Sequence, residues 1–141
     1  MMQMILAVNL ISTFLLCGLI WMVQLVHYPM FHRLDKQKFG EHIRFHGLRI
    51  SILVIPLMVT EFITSFSLAF FQQTDQILHL AGFFIVVLIW LVTFFVQVPL
   101  HSKLSSGFNS QVVTLLVRTN IIRTVLWSCK SILGFYLLIG T

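Results

Sequence analysis

Between positions 50 and 102 the chain carries no lysine or arginine, and this gap constrains its fold more than any motif does. All nine basic residues lie outside it: Arg33, Lys36, Lys38, Arg44 and Arg49 before, and Lys103, Arg118, Arg123 and Lys130 after. An apolar stretch of that length is enough to cross a bilayer twice, since one helical crossing takes about 20 residues. The flanking segments are also apolar. Hydrophobic residues make up 58% of the chain and charged residues 9%, whereas a soluble domain carries about a quarter charged residues. The expectation is an all-α, four-transmembrane-helix antiparallel bundle, one integral membrane domain over 1–141, with spans at roughly 4–28, 47–71, 76–100 and 112–139.

The connections predict an orientation. The first, about 30–46, and the third, about 101–111, are basic, whereas the tight polar turn Gln72-Gln73-Thr74-Asp75 and the two ends are not. Positive charge stays in the cytoplasm, so both termini are expected outside, in a cell membrane of the bacterial inner-membrane type. The basic residues of the chain cluster around these connections, as they do in membrane proteins, so the net charge of +5 gives no reason to expect nucleic acid. The first apolar run has neither the basic start nor the small-residue cleavage site of a signal peptide, so it is expected to remain as a span. Gly40 is expected to break the first connection into two short pieces, and Pro56 to kink the second span. Ser105-Ser106-Gly107 and Asn109-Ser110 predict a turn followed by a helix cap. Cys17 and Cys129 sit in apolar stretches and are expected to be small buried hydrophobes.

Within each span the polar residues fall on one face at about 100° per residue. Span one aligns Asn9, Thr13, Cys17, Gln24 and His27. Span two gathers His42, His46, Arg49, Thr60, Glu61, Thr64 and Ser67. Span three aligns His79, Trp90, Thr93, Gln97 and His101, and span four Asn120, Arg123, Thr124, Trp127, Lys130 and Ser131. Lipid-facing surfaces hold such groups at high cost, so the four faces are expected to pack inward.

A rise of about 1.5 Å per residue sorts these groups by depth. His27, His46 and His101 fall at one level near the basic side, where Asn120 and Arg123 also arrive. Glu61 and Lys130 fall near mid-membrane, with Asp75 and His79 toward the opposite surface. A carboxyl group at mid-depth is expected to bond Lys130 or Arg123, or to stay protonated. Imidazole is the commonest ligand of transition metals and of haem iron, so three histidines at one level are candidate metal ligands, and two on facing helices could hold a haem. Boundary histidines also bond backbone carbonyls and headgroups, and that structural role stands beside the metal one. Trp90, Trp127 and Gln97 are candidates to frame a flat organic ligand, with Glu61, Arg123 and Asn120 as candidates for charge or proton work. Nothing in the chain supports a nucleophile elbow, a phosphate-binding glycine loop or a CxxC pair.

Several stretches resemble a family of small four-span bacterial integral membrane proteins without an assigned activity. They are Trp21-Met-Val-Gln-Leu-Val-His27-Tyr-Pro29, Pro56-Leu-Met-Val-Thr-Glu61, Gln97-Val-Pro-Leu-His101 and Thr119-Asn-Ile-Ile-Arg-Thr124 with Trp127. More distantly, Pro99-Leu100-His101 and Asn120-Ile-Ile-Arg123 are similar to the anthrone oxygenase-like membrane family. That resemblance implies oxidation of a lipophilic aromatic substrate, although His101 stands where a smaller polar residue is expected. Two function classes follow. One is a metal- or haem-binding membrane oxidoreductase acting on a lipophilic small molecule. The other is a non-enzymatic component, an accessory subunit of a membrane complex or a small transport-related protein, in which the same polar residues only join helices. The partners to consider are a second copy of the chain, as a homo-oligomer, or a membrane complex.

Overall fold

The computed structural model describes residues 1–140. Four helices account for nearly all of them: α1 (Met2–Arg33), α2 (Phe39–Phe71), α3 (Gln76–Ser105) and α4 (Ser110–Ile139). Each is long and apolar enough to cross a membrane, and among the described residues there is no strand. The chain is a multi-pass membrane protein built as an all-α bundle. Each helix packs on two neighbours in a ring, α1 on α2 and α4, and α3 on α2 and α4.

The four spans stand where hydropathy put them but run further. α2 begins at Phe39, so Gly40 lies inside a helix and does not divide the first connection, which shrinks to a few residues after Arg33. The reason is packing: a Cβ on Gly40 would lie 2.6 Å from the Ser105 carbonyl oxygen, so only glycine lets α2 approach the end of α3 this closely. The helix also continues through Pro56 to Phe71 without interruption. At the start of α4 the Asn109 side chain accepts from the backbone N–H groups of Gln111 and Val112, as the sequence predicts. Cys17 is half-buried, but Cys129 is exposed on the outer face of α4 and not buried as expected.

Two helices contain a π-helical turn, in which backbone bonds run i→i+5: Val23–His27 in α1 and Thr93–Gln97 in α3. Each lies two residues before a proline, Pro29 and Pro99, whose missing N–H already interrupts the regular ladder. Such bulges cluster at functional sites because they re-aim side chains within an otherwise regular helix.

Candidate functional site

The polar faces do turn inward, and they divide into two layers on either side of Trp127. The upper layer is a closed hydrogen-bond network. Glu61, with 0% exposure, accepts from the Thr13 hydroxyl at 2.8 Å on Oε1 and from Trp127 Nε1 at 3.0 Å on Oε2. Lys130 Nζ donates to Asn9 Oδ1 at 3.1 Å and to Thr13 Oγ1 at 3.4 Å. Asn9 in turn donates to Thr64 and Ser65, each at 2.8 Å. Lys130 therefore reaches Glu61 through Thr13, in place of the direct bond to Lys130 or Arg123 that depth alone suggests. This layer joins α1, α2 and α4 and leaves little room for a ligand: the adjoining void between Asn9, His79 and Lys130 is about 20 Å³.

Below Trp127 lies a cavity of about 520 Å³. Its walls are apolar, from Leu16, Ile20 and Val23 of α1 to Ile43, Ile50 and Val54 of α2. Polar groups come from Tyr28, His46, Gln97, His101, Arg123 and Arg44, and no carboxylate contributes to the lining. The volume lies within the range of small-molecule sites, about 300–1,000 Å³, and the mix of apolar walls with few polar groups is typical of them.

Arg123 is the centre of this layer. It is only 7% exposed, and a guanidinium stays charged even when buried. Its Nη1 donates to Asn120 Oδ1 at 3.4 Å, and Asn120 is held by donating to Gln24 Oε1 at 2.8 Å. The guanidinium stands 5.1 Å from the centroid of the Trp127 ring and lies against the Tyr28 hydroxyl. Its Nε has no partner. The cation is thus positioned by an amide chain and an aromatic face, and among the described residues no acid neutralises it.

Gln97, 2% exposed, supplies the complement. Its Nε2 donates to Thr119 Oγ1 at 3.0 Å. The Thr119 hydroxyl itself donates to the Leu115 carbonyl at 2.8 Å, so it can only accept from Gln97, which fixes the orientation of the amide. Gln97 Oε1 is then left buried without a donor. Buried polar atoms are nearly always satisfied, so a free donor and a free acceptor on residues of one cavity mark it as the candidate binding site. Tyr28 OH and His101 Nε2, 2.8 Å apart, add a pair able to exchange a proton.

The three candidate metal ligands share a level but do not converge. His27 and His46 meet edge to face at 5.2 Å between ring centroids. Phe31 stands between His46 and His101, at 5.5 Å and 6.3 Å from them, and His101 is engaged by Tyr28. Among the described residues no group of three or more His, Cys, Asp and Glu gathers at ligand range. The three rings therefore do not gather as a three-imidazole metal site, and the edge-to-face contact leaves no gap for a macrocycle between His27 and His46. Depth along a helix is legible from spacing; the direction of each ring is not.

Of the remaining candidates, Trp127, Gln97 and Arg123 line the cavity, Asn120 braces Arg123, and Glu61 lies behind Trp127 in the other layer. Trp90 is not part of the lining; it packs against Phe62 and Phe94 at 5.5 Å and 5.3 Å. Tyr28 was missed by sequence reasoning. The matched pair His27-Tyr-Pro29 and Gln97-Val-Pro99, each closing a π-turn, is the signal that could have found it. No family model, curated protein or solved structure matches the chain.

Proposed function

We propose that this membrane protein binds a lipophilic molecule through an acidic oxygen headgroup, held in the cavity beneath Trp127. The observation that carries the reading is Arg123: a buried guanidinium without a carboxylate partner, in a cavity whose other charged or titratable groups are Arg44, His46, His101 and Tyr28. An unpaired cation at membrane depth is costly, and an anionic head would neutralise it while occupying the free Nε. Gln97 Oε1 can accept only from an O–H, so it would serve the protonated form of such a head, and the Tyr28–His101 pair would move the proton between that form and the anion facing Arg123. A phenol, a carboxylic acid or a phosphate monoester has this chemistry. The reading is one of recognition and retention of the head, a step that a membrane enzyme and a non-enzymatic component would share. By the positive-inside rule the cavity would lie in the cytoplasmic half of a cell membrane, since Arg44, His101 and Ser105 of its lining stand beside the basic connections.

The test compares hexadecanoate with hexadecanol, by native mass spectrometry and Trp fluorescence on protein in mild detergent. Hexadecanoate should bind and the alcohol should bind at least about tenfold more weakly, a difference of about 1.4 kcal/mol. Arg123→Gln should remove that preference. Equal binding of acid and alcohol, unchanged by Arg123→Gln, would overturn the reading.

A further inference from the structure

We infer that the ligand is a single-chain amphiphile that enters sideways from the leaflet on the basic side, through a window between α2 and α3 in which its hydrocarbon tail remains. The inference rests on the headgroup reading above and adds the route and the shape of the ligand.

The two helices are joined at both ends of the window. Toward the far surface they interlock through rings, Phe62 with Phe83 at 5.4 Å and with Trp90 at 5.5 Å, and Phe66 with Phe83 at 5.7 Å. Toward the basic connections Arg44 Nη1 donates to the Ser105 carbonyl at 2.9 Å, beside the close approach at Gly40. Between these fastenings no ring contact or side-chain hydrogen bond joins the two helices among the described residues. Arg44, Leu48 and Ser51 rise along α2, and Val98, Ser102 and Ser105 along α3, and all six belong to the cavity lining. Leu48 is 72% exposed and Val98 51% exposed, so residues of the cavity wall are at the same time residues of the outer, apolar surface. The cavity therefore opens laterally.

Local sequence explains the gap. Gly47 lines the cavity, and a Cβ placed there would meet no atom within 4 Å, so the helix face is notched where a side chain would otherwise fill the space. At the upper edge stand Pro56 on α2 and the π-turn Thr93–Gln97 on α3. Counted from the Arg44–Ser105 fastening at about 1.5 Å per residue, the two reach the same depth. Pro56 removes one backbone N–H from the ladder of a helix that otherwise continues, and the π-turn shifts the bonding of α3; such places are where helices depart from a straight course.

The charge pattern sets the polarity of the occupant. Arg123, Gln97, Tyr28 and His101 lie on the inner wall, whereas the rim of the window between its fastenings offers Leu48, Val98 and small hydroxyls. The head belongs inside and the tail in the opening. A molecule dissolved in water would have no use for such an opening, whereas one already partitioned in the leaflet reaches the cavity without leaving hydrocarbon.

The experiment measures binding of octanoate and hexadecanoate to the full chain in lipid nanodiscs, for wild type and for the rim variants Leu48→Trp and Ser102→Trp. Both rim positions are exposed, so the bulk is added outside the packed interior. Hexadecanoate should bind wild type more tightly than octanoate, and either rim variant should weaken hexadecanoate at least about tenfold and by clearly more than it weakens octanoate; an equal loss for both acids would overturn the window. A hexadecanoate carrying a diazirine at its tail end should cross-link to α2 and α3 near Leu48 and Val98. If hexadecanoate binding is unaffected by the rim variants while Arg123→Gln still abolishes it, the window is refuted and the headgroup site stands. If neither acid depends on Arg123, the headgroup reading fails and this inference with it. Cross-links confined to the helix ends beyond Arg44 and Ser105 would also overturn lateral entry.

Discussion

The Thr13 hydroxyl is the joint of the upper network, and removing it should cost more than its size suggests. Thr13→Val keeps the shape of the side chain but deletes two interhelical bonds at once, to Glu61 Oε1 at 2.8 Å and from Lys130 Nζ at 3.4 Å. Glu61 is then left with Trp127 and Lys130 with Asn9. Interhelical hydrogen bonds in membranes average about 0.6 kcal/mol and reach about 1.7, so two of them predict a loss of about 1–3 kcal/mol. The upper half of that range is expected because both partners are ionisable groups that are hard to leave unsatisfied in a low-dielectric interior. Reversible unfolding in mixed detergent–SDS micelles, followed by circular dichroism, reads this directly. Thr13→Ser retains the hydroxyl and should stay close to wild type. A double-mutant cycle with Lys130→Met should show coupling, because the bond that one change removes is the one the other depends on. The reasoning is refuted if Thr13→Val unfolds within about 0.3 kcal/mol of wild type, or if Thr13→Ser is as damaging as Thr13→Val.

Two glycines give a paired prediction. A Cβ at Gly40 meets the Ser105 carbonyl oxygen at 2.6 Å, and one at Gly134 meets Leu10 Cδ2 at the same 2.6 Å. The first obstacle is backbone and the second is the end of a flexible side chain. Gly40→Ala should therefore cost about 1–3 kcal/mol, as overpacking does, while Gly134→Ala is absorbed by a rotamer change of about 1 kcal/mol or less. Equal costs in the same unfolding assay would contradict the close approach of α2 to α3. At the start of α4, Asn109→Ala should remove about 1 kcal/mol and speed hydrogen exchange at the Gln111 and Val112 amides, whose bonds to Asn109 Oδ1 are 3.0 Å and 3.1 Å. Unchanged exchange at those two amides would show that the cap carries no weight.

Some of the site could be read directly from residue spacing. The polar stripes of α1 and α4 predicted inward faces, and Asn9, Thr13, Asn120, Arg123, Trp127 and Lys130 are indeed on buried or lining positions. A 3.6-residue period in an apolar helix has one strong cause at membrane depth, the exclusion of polar groups from lipid, so it survives whatever the partner helices do. The Asn109 cap is legible for the same reason, since it is a purely local interaction. The stripe of α2 was less faithful: His42 and Arg49 are exposed, because near a helix end a long polar side chain can reach water or headgroups and need not turn inward. The two π-turns also shift the facing of every residue beyond them, which a uniform 100° rotation cannot anticipate.

By itself the sequence determined that this chain crosses a membrane four times as helices, and which residues turn away from lipid. Hydrocarbon enforces those outcomes one helix at a time, through the cost of exposing backbone and polar groups. Only the tertiary structure decided which inward groups meet. It linked Glu61 to Lys130 through Thr13, kept Arg123 away from any acid among the described residues, set Phe31 between His46 and His101, and left a cavity with free hydrogen-bonding atoms beneath Trp127. Those outcomes depend on helix rotation, on two π-turns and on a contact that only Gly40 permits. They are properties of four helices together, and the periodicity of one helix does not contain them.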